Sequence, residues 1–394
     1  MSVVSFVFPS YASSERMTII SNSTYAPEDN HGNLKCVIRT DADVATEFLR
    51  KNIVQATGLS QEKVSSIVNQ NYERWGKQVV GLIGKNLDYD AYGHHIKSRS
   101  LQVHFYRSAQ SSECVVYNAM DLLKGDALAQ DSKYVMVSLD DMIRPEGNNS
   151  LDLAFSRKFD RNGKTELGYV ARPGFEDLSV QIERIKNKVS EFSQVSSGAR
   201  VPLVFLEDNI RRSKMINWVV SELESAGVFE KAYLAGISTC FCSADVNERK
   251  KIQFEGKSVP IVTVAHYNHQ SSDVMTPRDL FFDGLVVDID GHVGRLPAIF
   301  MDLVARFKIA PDYQESFRSD VALANIDFCM NIQKEVGVHI PLSWMEHGET
   351  ISRALDIDKD VLVVDVMKSF VGTHQISTPN LNDNLLGNRT IAFV

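Results

Sequence analysis

Val201-Pro-Leu-Val-Phe-Leu206 is an unbroken apolar run that stops on two adjacent acids, Glu207-Asp208. Continuous apolarity without alternation marks a strand covered on both faces. Met215 to Ala226 follows with helical spacing, and Gly227 stands where a helix stop is expected. Ala232-Tyr-Leu-Ala-Gly-Ile237 is the next strand. Strand, helix and strand with short connections form a βαβ unit, which crosses over right-handed into a parallel sheet. Tyr134 to Leu139, Val259 to Ala265 and Leu285 to Ile289 are further strand segments, and Leu178 to Phe192 is an amphipathic helix.

The rest of the chain is organised around this core. At 394 residues the prior is two domains, or one large domain with an extension. The texture divides it into an N-terminal α+β region over 1–125, an α/β core over 126–295 and a mainly helical C-terminal extension over 296–394. The fold class is therefore α/β, a mainly parallel sheet flanked by helices. In the first third, Met1 to Pro9 reads as a strand rather than a signal peptide, for no basic residue precedes its apolar stretch. Asp41 and Ser60 stand at expected helix starts. Leu101 to Tyr106 and Cys114-Val-Val-Tyr117 read as strands, with a polar turn over Arg107 to Glu113 between them. Asn162-Gly163 is the two-residue turn of an expected hairpin. Leu296 to Lys308 and Ala322 to Val336 read as helical, and Val361-Leu-Val-Val364 as a late strand.

Charge and cysteine usage exclude several classes. A net charge of -8 argues against a dedicated nucleic-acid binder, which carries a basic excess. No stretch reaches the ~18–20 apolar residues needed to span a bilayer. Five scattered cysteines make neither a disulfide framework nor a zinc ribbon, so reduced thiols in a cytoplasmic setting are expected. Cys240 and Cys242 alternate onto one side of a strand and read as core.

In open parallel sheets ligands sit beyond the carboxyl ends of the strands. Beyond Leu206 stand Glu207-Asp208-Asn209-Ile210-Arg211-Arg212-Ser213-Lys214. Two carboxylates there can hold vicinal hydroxyls or an ion such as Mg²⁺, while the loop and the next helix start hold phosphate. The order of four apolar residues, two acids, a phosphate loop and a helix running to Ala226-Gly227-Val228 resembles the fingerprint of type I phosphoribosyltransferases, over about 35 residues from Val201 to Ser238. The resemblance implies that Glu207 and Asp208 bind ribose hydroxyls and that Arg211, Arg212, Ser213 and Lys214 face a 5-phosphate. It also implies phosphoribosyl transfer assisted by Mg²⁺ near Asp208, on a sugar-phosphate or nucleotide ligand; self-association is compatible with it. The departure is the loop, which has no glycine where the family uses Gly and Thr to build an anion nest. A nucleotide-sensing or partner-binding module on the same fold therefore stands beside the transferase reading.

Two other patterns bear on the site. Leu139-Asp-Asp-Met-Ile-Arg144 echoes Leu206-Glu-Asp-Asn-Ile-Arg211, so Asp140 and Asp141 are expected at a second acidic strand end converging on the same cation or substrate. Leu285-Val-Val-Asp288-Ile-Asp290-Gly291 resembles motif I of haloacid-dehalogenase-type phosphatases, which implies Asp288 as nucleophile and Asp290 as general acid. The alternative there is a strand followed by a polar turn. His266-x-x-His269 lacks a third and fourth metal ligand nearby and reads as a loop after a strand.

Overall fold

In the computed structural model the described residues are 36–38, 41–86, 109–124, 129, 131, 133–140, 143–145, 147–210, 213–243, 252–267, 277–301 and 311–371. In chain order they begin with β1 (Cys36–Ile38), α1 (Asp41–Thr57), α2 (Gln61–Asn86) and α3 (Ala109–Leu123). Then come β2 (Val135–Ser138), β3 (Ile143–Pro145), β4 (Ser150–Asp152), β5 (Phe155–Phe159), β6 (Glu166–Ala171), α4 (Leu178–Val195) and β7 (Val201–Ile210). The middle holds α5 (Lys214–Ser225), β8 (Ala232–Ser243), β9 (Gln253–Phe254), β10 (Lys257–Ser258) and β11 (Ile261–Tyr267). The chain continues through β12 (Leu285–Ile289), β13 (His292–Leu296), α6 (Gln314–Val336), α7 (Gly348–Leu355) and α8 (Val363–Lys368). Each of two compact units draws on three stretches: 1–40, 107–155 and 175–270 form the first, and 41–106, 156–174 and 271–394 the second.

The first unit is a five-stranded sheet in the order β11-β8-β7-β2-β4, with every pairing parallel. Its centre is the apolar run: Leu203, Val204, Phe205 and Leu206 are wholly buried, as a strand flanked by helices requires. The helix α4 buries Ile182, Ile185 and Val189, and α5 buries Ile216, Val219 and Leu223. Gly227 ends α5 in the left-handed conformation, φ 78°, as its place in the sequence foretells. Cys114-Val-Val-Tyr117 is not a strand. It lies inside α3, together with most of the stretch read as a turn, because Val115, Ala119 and Leu123 form one apolar stripe at four-residue spacing. That stripe serves the sheet: Ser238 donates to the Val115 carbonyl at 2.7 Å, and a Cβ at Gly236 would stand 2.8 Å from Leu122 Cδ1.

The second unit holds a four-stranded mixed sheet, β13-β12-β5-β6, and most of the helices. The Leu285–Ile289 strand therefore belongs here, parallel to β5 and antiparallel to β13, and does not join the parallel sheet. Strands β5 and β6 are neighbours, but six residues separate them, so Asn162-Gly163 lies within a longer loop closed by the Asp160 N–H on the Thr165 carbonyl at 2.9 Å. Leu296 ends β13 rather than opening a helix, and Val363–Lys368 is helical. In α8 the pairs Val363–Val364 and Val366–Met367 all turn inward, the three-residue recurrence of a helix that a four-residue apolar run conceals. The core stacks Tyr72, Trp75, Phe281, Phe282 and Phe328, with the Trp75 indole donating to Asn325 Oδ1 at 2.7 Å. Met1 to Pro9, Leu101 to Tyr106 and His269 lie outside the described residues. Among the described residues no helix is long and apolar enough to cross a membrane.

His347 makes this second unit acid-sensitive. Burial, followed by the nearby charge of Arg295, pulls its pKa down from 6.5 to about 3; a hydrogen bond to the Phe282 backbone opposes this and Arg278 adds to it. The ring is neutral in the folded chain, whereas the unfolded chain takes up a proton below pH 6.5, so folding is favoured above that pH and loses ground as pH falls toward 3. The His347 contribution, read in urea unfolding as the difference between the parent and a variant lacking the imidazole, should fall with a slope approaching ~1.4 kcal/mol per pH unit in that window. His347→Asn, which puts a residue suited to the N-cap ahead of α7, should flatten the parent's slope. An unchanged slope would assign the acid sensitivity to other groups.

Candidate functional site

The register of three neighbouring strands builds the acidic site. Strand β2 pairs with β7 only from Val135↔Leu203 to Ser138↔Leu206, and the ladder closes with the Leu139 N–H on the Leu206 carbonyl at 2.8 Å. On its other side β7 runs on beside β8, through Glu207↔Thr239 and Asn209↔Phe241 to Ile210↔Cys242. Glu207-Asp208 therefore does not end the strand, as the loss of apolar character suggests. The acids sit within β7, at the level where the sheet narrows because β2 has turned away. That level is the carboxyl side of the parallel strands, where open α/β sheets hold ligands.

The same register brings Asp140 alongside. Ser138 pairs with Leu206, and Asp140 follows two residues on, just past the end of that ladder and near Asp208. Adjacent strands are ~4.8 Å apart, close enough for side chains at one level to meet. The turn carrying Asp140 is held from beneath by the buried Ser138 hydroxyl, which contacts the Ile143 carbonyl and lies 2.8 Å from that of Asp140. One carboxylate oxygen from each of Asp140, Glu207 and Asp208 lies within 4.8 Å of the other two. Asp140 thus lies beside Glu207 and Asp208. Asp141 lies outside the described residues.

Glu207 is the unusual member. It is 4% exposed, and its Oε1 accepts the Asp208 N–H at 3.0 Å, while Oε2 is buried with no hydrogen-bond partner. Burial first, then contact with the Asp208 carboxylate and the charges of Asp208 and Asp140, holds its carboxyl well above the usual carboxylate range; only the Asp208 N–H works against this. Two unit charges ~4–5 Å apart repel by about 3–4 kcal/mol at an effective dielectric near 20. Three ionised carboxylates at this spacing therefore call for a proton or a cation among them. The donors are hard oxygens, the set that suits Mg²⁺, Mn²⁺ or Ca²⁺.

The phosphate-facing residues are placed in part. Lys214 opens α5 and is exposed; Ser213 precedes it, its side chain making no capping hydrogen bond while its carbonyl accepts the Asn217 N–H at 2.8 Å. Arg211 and Arg212 lie outside the described residues. Ser138 is the contributor that sequence reading passed over, because its hydroxyl works on backbone carbonyls and belongs to no motif.

The phosphatase-like motif takes a different form. Asp290 and Gly291, at φ 52° and 85°, are the two left-handed residues of a tight hairpin turn, with Ile289 paired to His292 across it. Asp-Gly with both residues left-handed is the preferred two-residue turn between antiparallel strands. Asp288 is held by Lys158 at 3.1 Å and by the Gly291 N–H at 3.0 Å, and Asp290 is exposed. Asp-x-Asp-Gly is here the chemistry of a turn. Cys240 and Cys242 are buried and form no disulfide, as core residues should be, and burial pushes the Cys242 thiol up to about 12.

No protein-family model matches this sequence, and no curated protein or solved structure matches it either.

Proposed function

We propose that the chain binds a phosphoribosyl diphosphate or nucleotide ligand at the carboxyl edge of its parallel sheet, and that phosphoribosyl transfer is the reaction this binding serves. The observation that carries the reading is Glu207, a buried carboxyl with one unmatched oxygen beside Asp208 at the level where β2 leaves the sheet. Such a group needs a donor, and vicinal ribose hydroxyls are donors of the right reach. The short passage from β7 into α5 supports the phosphate end of the same ligand, for a helix start favours anions. The fold implied is phosphoribosyltransferase-like, and the order β8-β7-β2 with its parallel crossovers is compatible with it.

In a transfer of this kind the bond between anomeric carbon and diphosphate oxygen breaks, and its electron pair leaves with diphosphate. The acceptor's nucleophile bonds to the carbon and gives up a proton. Carboxylates at the ribose would steady the positive charge that gathers on the sugar, and Mg²⁺ would neutralise the leaving group. Titration calorimetry with phosphoribosyl diphosphate and Mg²⁺ tests the reading. Saturable binding that Asp208→Asn weakens by at least about tenfold is expected, roughly the worth of one charged hydrogen bond. Diphosphate release in the presence of acceptor bases would separate a transferase from a sensor. No binding of this ligand or of nucleotides would sink both.

A further inference from the structure

We infer that Asp140, Glu207 and Asp208 form a protein-held site for a divalent cation, filled without any sugar phosphate. The inference uses the same carboxylates as the proposed function but does not depend on that ligand.

Three observations carry it. Two oxygens on opposite sides of an ion are separated by twice the metal–oxygen bond, about 4.2 Å for Mg²⁺ and about 4.6–5.2 Å for Ca²⁺. One oxygen from each of the three residues lies within 4.8 Å of both others, a span comparable to the opposite-oxygen distance around Ca²⁺, so small side-chain movements bring the set onto one ion. Second, Glu207 is more than nine-tenths buried and its Oε2 has no hydrogen-bond partner, so a carboxylate oxygen has been desolvated in the company of two further acids. A buried group left in that state is relieved by a proton or by a ligand, and the ligand that three acids favour is a cation. Third, the arrangement is fixed by the fold before any ligand arrives. Glu207 and Asp208 ride on the central strand, and Asp140 follows β2 on a turn tethered to the Ser138 hydroxyl. Ligands on rigid, hydrogen-bonded backbone are what a cation site needs to bind without help from a substrate.

The test is titration of the chelator-treated full chain with Mn²⁺, followed by calorimetry and by the paramagnetic signal of free Mn²⁺, with no sugar phosphate present. Saturation at one ion per chain is expected. Asp140→Asn and Asp208→Asn should each weaken binding by at least about tenfold, the loss typical of damage to a metal's supporting groups. The exposed Asp327→Asn on α6 should leave binding unchanged. Thermal melts of each variant without metal show whether it has kept its fold, and the half-exposed Asp208 provides the second variant should Asp140→Asn fail. Absence of saturable binding to the parent chain overturns the inference, as does binding that neither folded variant weakens. Mn²⁺ uptake seen only once phosphoribosyl diphosphate is added also overturns it while sparing the proposed function. Uptake of Mn²⁺ by a chain that ignores phosphoribosyl diphosphate supports the cation site and removes the proposed ligand.

Discussion

Glu207→Gln is expected to raise the stability of the ligand-free chain and, in the same protein, to remove most of its binding of divalent cation and sugar phosphate. The amide has the shape of the carboxyl, keeps an oxygen to accept the Asp208 N–H, and adds an N–H₂ that can donate to the neighbouring carboxylates. It also removes an ionisable group whose surroundings resist its charge. The folded chain holds the Glu207 proton more tightly than the unfolded chain, so this residue costs stability progressively as pH rises above the ordinary 4.5. The variant should match the parent at more acidic pH and exceed it at neutral pH, by about 1–3 kcal/mol. Thermal melts across that range, paired with calorimetry, read both effects. A variant less stable than the parent at neutral pH would make Glu207 a structural anchor rather than a ligand group.

Asp283→Ala should do the opposite, and more severely. Asp283 lies between Arg278, whose Nε is 3.1 Å from its Oδ2, and Arg295, which contacts its Oδ1. The side chains of all three are 11–13% exposed, and the same Oδ1 accepts the Gly284 N–H at 2.9 Å. Replacing the shared partner removes one buried carboxylate from two buried guanidinium groups at once, an effect of about 3–5 kcal/mol. His347 stands within the field of both arginines, so its environment should become still less tolerant of a proton. Urea unfolding of the variant against the parent measures the loss. A change under ~1 kcal/mol would mean that solvent reaches these arginines well enough to replace the acid.

These substitutions distinguish two uses of a buried acid. Asp283 is matched by cations from its own unit and acts as mortar. The charges acting on Glu207 are those of Asp208 and Asp140, which worsen its position. A carboxyl buried among carboxyls gains only the Asp208 N–H in return, and strain of this kind gathers at functional sites.

Elements whose signal is local could be read directly. The apolar strand β7, the helix α5 closed by Gly227 and the amphipathic α4 each follow from spacing within a dozen residues. The misreadings share one cause. Cys114-Val-Val-Tyr117 and Val361-Leu-Val-Val364 are short apolar runs, and over four residues a strand and the inward stripe of a helix look alike. Asp-x-Asp-Gly is ambiguous in another way, since the same residues serve a hairpin turn and a nucleophile's strand end.

By itself, the sequence determined that a βαβ segment would form around Val201 to Ile237 and that acids would stand at its carboxyl side, because hydrophobic period and helix punctuation act between near neighbours. Tertiary structure alone decided that Leu285–Ile289 joins a different sheet, that each unit is assembled from three stretches of chain, and that Asp140 meets Glu207 and Asp208. Those outcomes depend on which strands pair and in what register, and pairing energy is shared between residues far apart in sequence. A shift of one residue between β2 and β7 would leave every local pattern intact and take Asp140 out of the site.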